Sequence, residues 1–418
     1  MFPGTILRKI LIDQQRRFQN HPSGVPRRVD PERYLHSQRI VVISGVRRCG
    51  KSTLLRQIAE NFSEYIYLNL DDERLAGLTL NDLSDILQIF EELYPGVRTV
   101  FADEIQNISG WERFIRRIHD DGYRIFLTGS NAHMLSSELG THLTGRNIKI
   151  ELWPFGFDEV CHAAGMITGP AGSIEEAAFL RECTRFLECG GFPEMIGGQD
   201  PELLQRTYED IIFRDVVSRY NIRETLPFRE LARYIFTNMT HEASYNNLAG
   251  AVGIRSAMTV RSWIGYLEET YLIGGCFQYN YSLKQQHARN RKYYGIDCGM
   301  RNAIAFRFSE DTGMLMENQV FIELRRQGFE IFWHKGTHEC DFLIRDRGKI
   351  IQVIQVCIEL TGHNSAREVK GLVEAMEMCR CPGLIITLHQ EEEILSGKHS
   401  IRVIPFWRWA LYGAGWKL

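Results

Sequence analysis

The sequence lacks any apolar run as long as a membrane span, and its N-terminus shows no secretory signal pattern. Its ten cysteines are scattered, without a CxxC pair or a Cys/His spacing suited to zinc. Cys379 and Cys381 flank a single arginine, which is too close for a strain-free disulfide or an ordinary zinc pair. We therefore expect a reduced, cytoplasmic protein without membrane contact.

Basic residues do not outnumber acidic ones, with 49 lysines and arginines against 52 aspartates and glutamates. The net charge is −3, so any contact with nucleic acid must come from a local basic patch. The hydrophobic fraction of 44% and the charged fraction of 24% are those of an ordinary globular protein. A length of 418 residues predicts two to four domains.

The stretch GVRRCGKST fits the phosphate-loop pattern G-x-x-x-x-G-K-[ST] without substitution. An apolar run at 40–43 predicts a buried strand before it, and apolar residues at helical spacing follow it. Glycines let the backbone amides turn toward phosphate oxygens, and the next helix adds its positive end. The chance alternative is an ordinary glycine turn. We assign nucleotide contacts to Gly45, Arg48, Cys49, Gly50, Lys51, Ser52 and Thr53, with Lys51 reaching the phosphates and Ser52 binding Mg²⁺.

Two further strands are predicted to end in polar residues at the same edge of a parallel sheet. The run 99–102 precedes Asp103 and Glu104, which predicts a Mg²⁺ ligand and a group that polarises the attacking water. The alternative is a solvated acidic turn. The strand 124–128 precedes Ser130 and Asn131, either of which could meet the γ-phosphate or the lytic water. A turn with helix-cap chemistry explains these two residues equally well.

Arg146 lies just before a probable fifth strand, 148–152. An arginine at this place could enter the nucleotide site of a neighbouring subunit and neutralise charge in the transition state. The alternative is a surface arginine paired with an acid.

Together these motifs resemble prokaryotic AAA-superfamily (AAA/STAND-like) P-loop ATPases with a winged-helix segment and a C-terminal domain of unknown function. The resemblance rests on GVRRCGKST, FADEIQ, FLTGSN, LTGRN before ELWPFGFDE, GGFPEMI and RDVVSRYNI, in this order. It implies a five-stranded, mostly parallel core, ATP hydrolysis with Mg²⁺, a trans-acting Arg146, and a homo-oligomer, with a hexameric ring favoured. It also implies that Pro193, after two glycines, contacts the base, although a helix-ending turn explains the same residues.

The overall fold class we predict is α/β, with an AAA-type core followed by two further folds. The predicted boundaries are 1–30 for an N-terminal helix and linker, 31–160 for the ATPase core, 161–225 for a helical lid, 226–300 for a winged helix-turn-helix, and 301–418 for a small restriction-endonuclease-like domain.

The winged helix is predicted from helices at 231–239, at 246–252 and after Ser256, followed by strands at 273–279 and 292–296. A basic stretch joins the two strands. We expect it to grip the phosphate backbone of double-stranded DNA without sequence preference. The residues assigned to DNA are Arg255, Arg261, Lys284, Arg289, Arg291 and Lys292. The alternatives are a lid or protein contact, with the basic loop simply solvated.

The C-terminal pattern resembles the restriction-endonuclease-like fold, whose nucleases use acids and a lysine around Mg²⁺. Glu317 and Asp341 occupy plausible positions, but the strand element reads Gln355-Val356-Cys357, without carboxylate or ammonium. We therefore expect no nuclease activity unless Lys335 or His338 substitutes, and we expect this domain to contact DNA backbone or other subunits.

The sequence thus predicts an oligomeric ATPase that engages and remodels DNA. Two alternatives stay open: a slow nucleotide-gated switch that recruits a protein partner, and an ATP-regulated nuclease.

Overall fold

The computed structural model describes residues 3–30, 32–130, 145–166, 172–198, 200–305 and 311–412. The chain forms two compact units, Met1–Leu152 and Trp153–Leu418. Within the described ranges, no helix is both long and apolar enough to cross a membrane. The predicted domain boundaries at 160, 225 and 300 stay predictions.

The first unit is built around a parallel sheet with helices on its faces. Its described helices are α1 (Gly4–Asn20), α2 (Glu32–Leu35), α3 (Lys51–Ala59), α4 (Asp82–Leu93) and α5 (Trp111–Asp120). Its strands are β1 (Ile40–Gly45), β2 (Ile66–Asn69), β3 (Thr99–Asp103), β4 (Arg124–Gly129) and β5 (Asn147–Leu152). The strand order is β2-β3-β4-β1-β5, and every pair is parallel. The predicted five-stranded core is confirmed.

Strand β1 lies inside the sheet because its side chains are apolar on both faces. All six of its residues are buried, as expected for a parallel strand covered on each side by helices. Its neighbours β4 and β5 align Ser44 with Gly129 and Gly45 with Leu152. The carboxyl ends of β1, β3 and β4 therefore meet at one edge, where a parallel sheet binds its ligand.

Helix α1 covers the outer edge of β2 with two glutamine side chains. Gln15 accepts a hydrogen bond from the Tyr67 amide at 2.8 Å and donates one to the Tyr65 carbonyl at 3.0 Å. Gln14 accepts from the Asn69 amide at 2.9 Å and donates to the Asn69 carbonyl at 3.0 Å. The two amides thus replace the backbone of a missing neighbouring strand and satisfy the edge.

The second unit contains a nine-stranded sheet with several helices. Its described helices are α6 (Phe157–Ala163), α7 (Ser173–Cys189), α8 (Pro201–Asp210), α9 (Thr225–Thr237), α10 (Tyr245–Ala251), α11 (Ala257–Glu269), α12 (Leu283–Ala288), α13 (Cys298–Ile304), α14 (Thr312–Arg326), α15 (Ser365–Cys379) and α16 (Phe406–Tyr412). Helix α8 continues through a π-helical stretch, Ile211–Val217, and a turn, Ser218–Tyr220. The strands are β6 (Glu242–Ala243), β7 (Ile273–Gln278), β8 (Arg291–Gly295), β9 (Glu330–Lys335), β10 (Glu339–Asp346), β11 (Lys349–Val356), β12 (Gly383–Thr387), β13 (Glu392–Ser396) and β14 (His399–Pro405). Their order is β13-β14-β12-β11-β10-β9-β7-β8-β6.

The predicted order of three helices and a hairpin is present as α9, α10, α11, β7 and β8. Ser256 caps α11 as expected, with its hydroxyl accepting from the Thr259 amide at 3.3 Å. Two features differ from the prediction. Strand β7 pairs with β9, so the hairpin belongs to the same sheet as the C-terminal strands. The segment between β7 and β8 contains α12 instead of an extended tip. The winged-helix and endonuclease-like assignments stay predictions.

Candidate nucleotide site

The loop between β1 and α3 has the backbone geometry of a cradle. Arg48 and Gly50 have φ angles of +64° and +96°, which turn the chain sharply before α3 begins at Lys51. A Cβ atom on Gly45 would lie 2.0 Å from the Leu152 carbonyl oxygen, so only glycine fits there. The loop therefore wraps the N-terminus of α3, whose positive end favours phosphate.

Lys51 is buried beside this loop. Its ammonium donates to the carbonyls of Gly45 at 3.2 Å and Val46 at 3.0 Å, and it lies 3.7 Å from Oε1 of Glu104. The loop residue Cys49 is also buried, and burial raises the pKa of its thiol. The Cys49 thiol therefore keeps its proton, and the nucleotide contacts assigned to this loop stay predictions.

Asp103 is surrounded by hydroxyl groups. Thr128 donates to Oδ1, Tyr67 donates to Oδ2 at 3.1 Å, and Ser52 also hydrogen-bonds this carboxylate. Burial and the nearby Glu104 raise the pKa of Asp103 above its ordinary value. The two residues predicted to bind Mg²⁺, Ser52 and Asp103, are therefore in contact.

Glu104 follows directly and lies at the same sheet edge. It adopts the left-handed backbone conformation, with φ of +53°, and its amide donates to the Thr128 hydroxyl at 3.0 Å. Gln106 donates to the Glu104 carboxylate and, at 3.3 Å, to the Ser130 hydroxyl. Ser130 thus lies at this edge, and its contact with the γ-phosphate or the water stays a prediction, whereas Asn131 lies outside the described residues. Sequence reasoning missed Gln106, although it is part of the FADEIQ motif.

Arg146 lies on the surface of the first unit, where it forms an ion pair with Asp120 of α5. Its side chain keeps 41% of its accessible surface. This contact matches the alternative that the sequence left open, a surface arginine paired with an acid. The trans-acting role stays a prediction.

The two glycines before Pro193 are required by packing inside the second unit. Gly190 has φ of +77°, and a Cβ there would lie 2.0 Å from Oδ1 of Asp297. The Gly191 amide donates to Oδ2 of Asp297 at 2.6 Å, and the Gly191 carbonyl accepts from the Phe155 amide at 2.6 Å. Burial raises the pKa of Asp297 to about 6. The predicted base contact of Pro193 is not needed to explain these glycines and stays a prediction.

The residues assigned to DNA fall into three classes. Arg255, Arg261, Lys284 and Arg289 are exposed. The guanidinium of Arg291 instead lies over the Phe277 ring, 3.9 Å from its centroid. Lys292 is buried, and the prediction that it grips DNA is wrong because its ammonium contacts three carboxylates inside the second unit.

Those carboxylates include both acids that sequence reasoning compared with a nuclease site. The Lys292 nitrogen lies 2.8 Å from Glu339, 3.3 Å from Glu317 and 3.4 Å from Asp341. Burial and Glu317 raise the pKa of Asp341 to about 7, against the opposing effect of Lys292. Burial opposes the charge on Lys292, but the three acids raise its pKa well above the ordinary value. Lys292 therefore supplies a positive counter-charge to this acidic cluster.

A cavity of about 590 Å³ opens beside this cluster and is lined in part by Glu317, Asp341 and Gln355. Gln355 donates to Glu368 at 2.8 Å, so an amide and not a carboxylate lies beside the acids of this cavity. The two predicted substitutes also line this cavity, but each pairs with a different acid: Lys335 with Glu242 at 2.6 Å and His338 with Glu374 at 3.1 Å. No cluster of three or more His, Cys, Asp or Glu residues suited to a metal ion occurs in the part of the chain that the structure describes.

Comparison with known proteins assigns the chain to a family. Residues 37–161 match a family model described as an AAA domain, and residues 180–311 match a domain of unknown function, DUF8612. The uncharacterized protein MJ1544 of Methanocaldococcus jannaschii is 35% identical over 405 residues, which cover 91% of this chain and 90% of that protein. The chain belongs to the MJ1544 family. A second relative, an uncharacterized protein of Haemophilus influenzae, is 27% identical over 340 residues and covers 77% of this chain and 83% of its own length.

Solved structures add little to the MJ1544 assignment. The replication initiator DnaA bound to AMPPCP and single-stranded DNA is 18% identical, with a TM-score of 0.27 over 57% of this chain and 85% of its own. A variant of RuvB from Thermotoga maritima is 16% identical, with a TM-score of 0.26 over 58% of this chain and 86% of its own. Similarities this weak carry no argument about function. The AAA domain match and the parallel sheet with its phosphate loop support an AAA-type P-loop fold for this member of the MJ1544 family.

Proposed function

We propose that the protein binds and hydrolyses ATP as an AAA-type oligomer that engages and remodels DNA. One observation carries the nucleotide part of this proposal: Lys51, Ser52, Asp103 and Glu104 come together at the carboxyl edge of the parallel sheet. Without a guanine-specific Asn-Lys-x-Asp element in the sequence, ATP is the default nucleotide.

The side chains present fit a triphosphate and a hard cation. Ser52 and Asp103 offer two oxygen atoms at one point, and Mg²⁺ prefers oxygen ligands. Both would hold Mg²⁺, which would neutralise charge on the β- and γ-phosphates. The N-terminus of α3 suits the phosphates themselves, because the free backbone amides and positive end of a helix favour an anion.

Hydrolysis needs a water molecule activated next to the γ-phosphorus. In our proposal Glu104 accepts a proton from that water, and the oxygen of the water attacks the γ-phosphorus. The bond to the β–γ bridging oxygen breaks, and that oxygen leaves with ADP. Gln106 and Ser130 would orient Glu104, since Gln106 bridges the two side chains. Lys51 would stabilise charge on the leaving phosphate oxygens. Asn131 remains a predicted partner of the γ-phosphate or the water.

Assembly is the second part of the proposal. Arg146 would complete the site of a neighbouring protomer in a ring, with a hexamer favoured, and its exposure supports this role. For that contact to form, the ion pair with Asp120 would have to exchange for one with phosphate. An exposed ion pair is worth only about 0–1 kcal/mol, so the exchange costs little.

DNA contact is the third part. Arg255 lies just before α11, and Arg261 lies on it. Lys284 and Arg289 lie between β7 and β8, and all four residues are exposed. We propose that these four cations bind the phosphate backbone, with the C-terminal strands contributing further contacts. Lys292 is removed from this set, and the packing of Arg291 on Phe277 limits its part.

Steady-state ATPase assays with duplex, forked and single-stranded DNA test the proposal as a whole. A motor is expected to be stimulated by one of these DNAs, and Lys51→Ala is expected to abolish the rate. A slow rate that is indifferent to DNA would support the nucleotide-gated switch instead. Failure to bind ATP with Mg²⁺ present would refute the proposal entirely. Size measurements with and without ATP test the oligomer.

One observation favours a second candidate, the ATP-regulated nuclease. Lys292, from another strand, places an ammonium group between Glu317 and Asp341, where the Gln355-Val356-Cys357 element has none. Cleavage of plasmid DNA in Mg²⁺ or Mn²⁺ that is lost in Asp341→Ala would establish this activity. The amide at Gln355 still weighs against a hard-metal site.

A further inference from the structure

Tyr67 connects the N-terminal helix to the candidate nucleotide site. Its ring is buried in β2, and its hydroxyl donates to Oδ2 of Asp103 at 3.1 Å. On its other side the ring is stacked on Phe18 of α1, with centroids 3.8 Å apart and planes at 10°. One side chain thus contacts both α1 and the Asp103 carboxylate.

The hydroxyl of Tyr67 can act only as a donor to this carboxylate. A phenol keeps its proton at neutral pH, and a carboxylate oxygen accepts it in a hydrogen bond. Thr128 donates to the other carboxylate oxygen, Oδ1. With one hydroxyl on each oxygen, the Asp103 carboxylate is fixed in orientation next to Ser52.

Helix α1 is anchored to β2 by side-chain hydrogen bonds. Gln14 and Gln15 tie α1 to the backbone of β2 on both sides of Tyr67, and the guanidinium of Arg56 lies over the Phe18 ring at 5.8 Å. A cavity of about 190 Å³ separates α1 from the site and is lined in part by Phe18, Ser52 and Tyr67. Because the Phe18 and Tyr67 rings are in direct contact, a displacement of Phe18 would change the packing around Tyr67.

We propose that Tyr67 is a positioning residue that holds Asp103 ready for Mg²⁺, and that α1 controls this positioning through Phe18. This inference rests on the proposed function, since it concerns the same nucleotide site. It assigns α1 a regulatory role: a displacement of α1 lowers the affinity of the site for Mg²⁺ and leaves the phosphate loop unchanged.

The test compares Tyr67→Phe with Tyr65→Phe. Tyr65 packs edge-on against the same Phe18 ring, at 6.0 Å, and its hydroxyl has no described contact with Asp103, so it is a matched control. ADP binding is measured by calorimetry at a series of Mg²⁺ concentrations, and the ATPase rate is measured at the same concentrations. In Tyr67→Phe we expect the Mg²⁺ concentration at half-effect to rise by roughly 10-fold, the usual consequence of losing one hydrogen bond to a charged group. Nucleotide binding in EDTA should stay unchanged, and Tyr65→Phe should behave as wild type.

Phe18→Ala tests the role of α1. If Phe18 acts through Tyr67, Phe18→Ala raises the Mg²⁺ midpoint in the wild-type background and adds nothing in Tyr67→Phe. Equal shifts in both backgrounds would overturn the link to α1. A Tyr67→Phe midpoint equal to wild type would overturn the positioning role while leaving the proposed function intact. A wild-type protein that binds no nucleotide would overturn both. Thermal unfolding confirms that each variant is folded.

Discussion

The ammonium nitrogen of Lys292 lies 3.4 Å from Oδ1 of Asp341, inside the second unit. Lys292 ends a strongly basic stretch of sequence, yet only 4% of its side chain is accessible. It begins the buried part of β8, in which every residue from Lys292 to Gly295 is buried, and two further acids complete its surroundings. A residue that sequence reasoning assigned to DNA is therefore the internal counter-charge of an acidic cluster.

Removing this charge should destabilise the protein strongly. In Lys292→Met the two largely buried acids Glu317 and Asp341 lose their ammonium partner, and breaking a buried ion pair typically costs about 3–5 kcal/mol in the free energy of unfolding. Urea unfolding at pH 7.5 measures the change. Lys284→Met is the control, because this exposed lysine belongs to the same segment and its loss should cost at most about 0.5 kcal/mol. Equal effects of the two substitutions would contradict the assignment.

Asp297 should make stability depend on pH. Its pKa is about 6 in the folded protein, against an ordinary value of 3.8, so between pH 4 and 6 the folded state retains a proton that the unfolded state has lost. This contribution is complete below pH 3.8 and is lost as pH rises through 6. Its size is roughly 3 kcal/mol, from about two pKa units. Denaturant unfolding measures the free energy of unfolding of wild type and of Asp297→Asn across this pH range. The value for wild type minus the value for Asp297→Asn should fall as the pH rises from 4 to 6. A difference independent of pH would contradict it.

Gly190 should tolerate substitution less well than Gly197. Both have positive φ, +77° and +87°, which strains alanine at either position, and at Gly190 the ψ of −170° lies in a region that is essentially restricted to glycine. At Gly190 the new Cβ would also lie 2.0 Å from the Asp297 carboxylate, whereas at Gly197 nothing lies within 4 Å. We expect Gly190→Ala to unfold at clearly lower urea concentration than Gly197→Ala. Matching midpoints would mean that Asp297 can move aside freely.

Arg146 can be tested by mixing subunits. Arg146→Ala and Lys51→Ala should each be inactive alone, because one loses the trans-acting guanidinium and the other the phosphate-binding ammonium. In an equal mixture, about a quarter of the sites pair an intact Lys51 with a neighbour's intact Arg146, so about a quarter of the wild-type rate should return. Asp120→Asn, which removes only the local partner of Arg146, should stay active. An inactive mixture of properly assembled subunits would refute the shared site.

Much of the first unit was predictable because its signals are local. The apolar run 40–43, the glycine loop and the apolar positions of α3 are adjacent in sequence, and the structure confirms the strand, loop and helix they predict. Asp103 and Glu104 follow the same logic, since the end of a parallel strand fixes where they lie. Ser130 also lies directly after β4, as the sequence indicates, while its role stays a prediction.

What could not be predicted depends on contacts between distant segments. The hydroxyl of Tyr67 reaches Asp103 across two neighbouring strands, and nothing in its own strand distinguishes it from Tyr65. Lys292 was misassigned because charge runs are usually solvated, and its acids lie at least 25 residues away. The joining of β7 to β9 follows from backbone pairing, which a hairpin pattern does not specify. Strand β13 was missed because its side chains are mostly exposed and acidic at the start.

The two glutamines of α1 also decide how the first sheet can grow. By taking the backbone hydrogen bonds along β2, Gln14 and Gln15 close one flank of the sheet to any added strand. Strand β5 forms the opposite flank, so a chain that extends this sheet by backbone pairing would do so there. A protein shortened to begin after residue 20 would present the unprotected β2 to solvent, and such fragments should aggregate through this edge in addition to any assembly of the full chain.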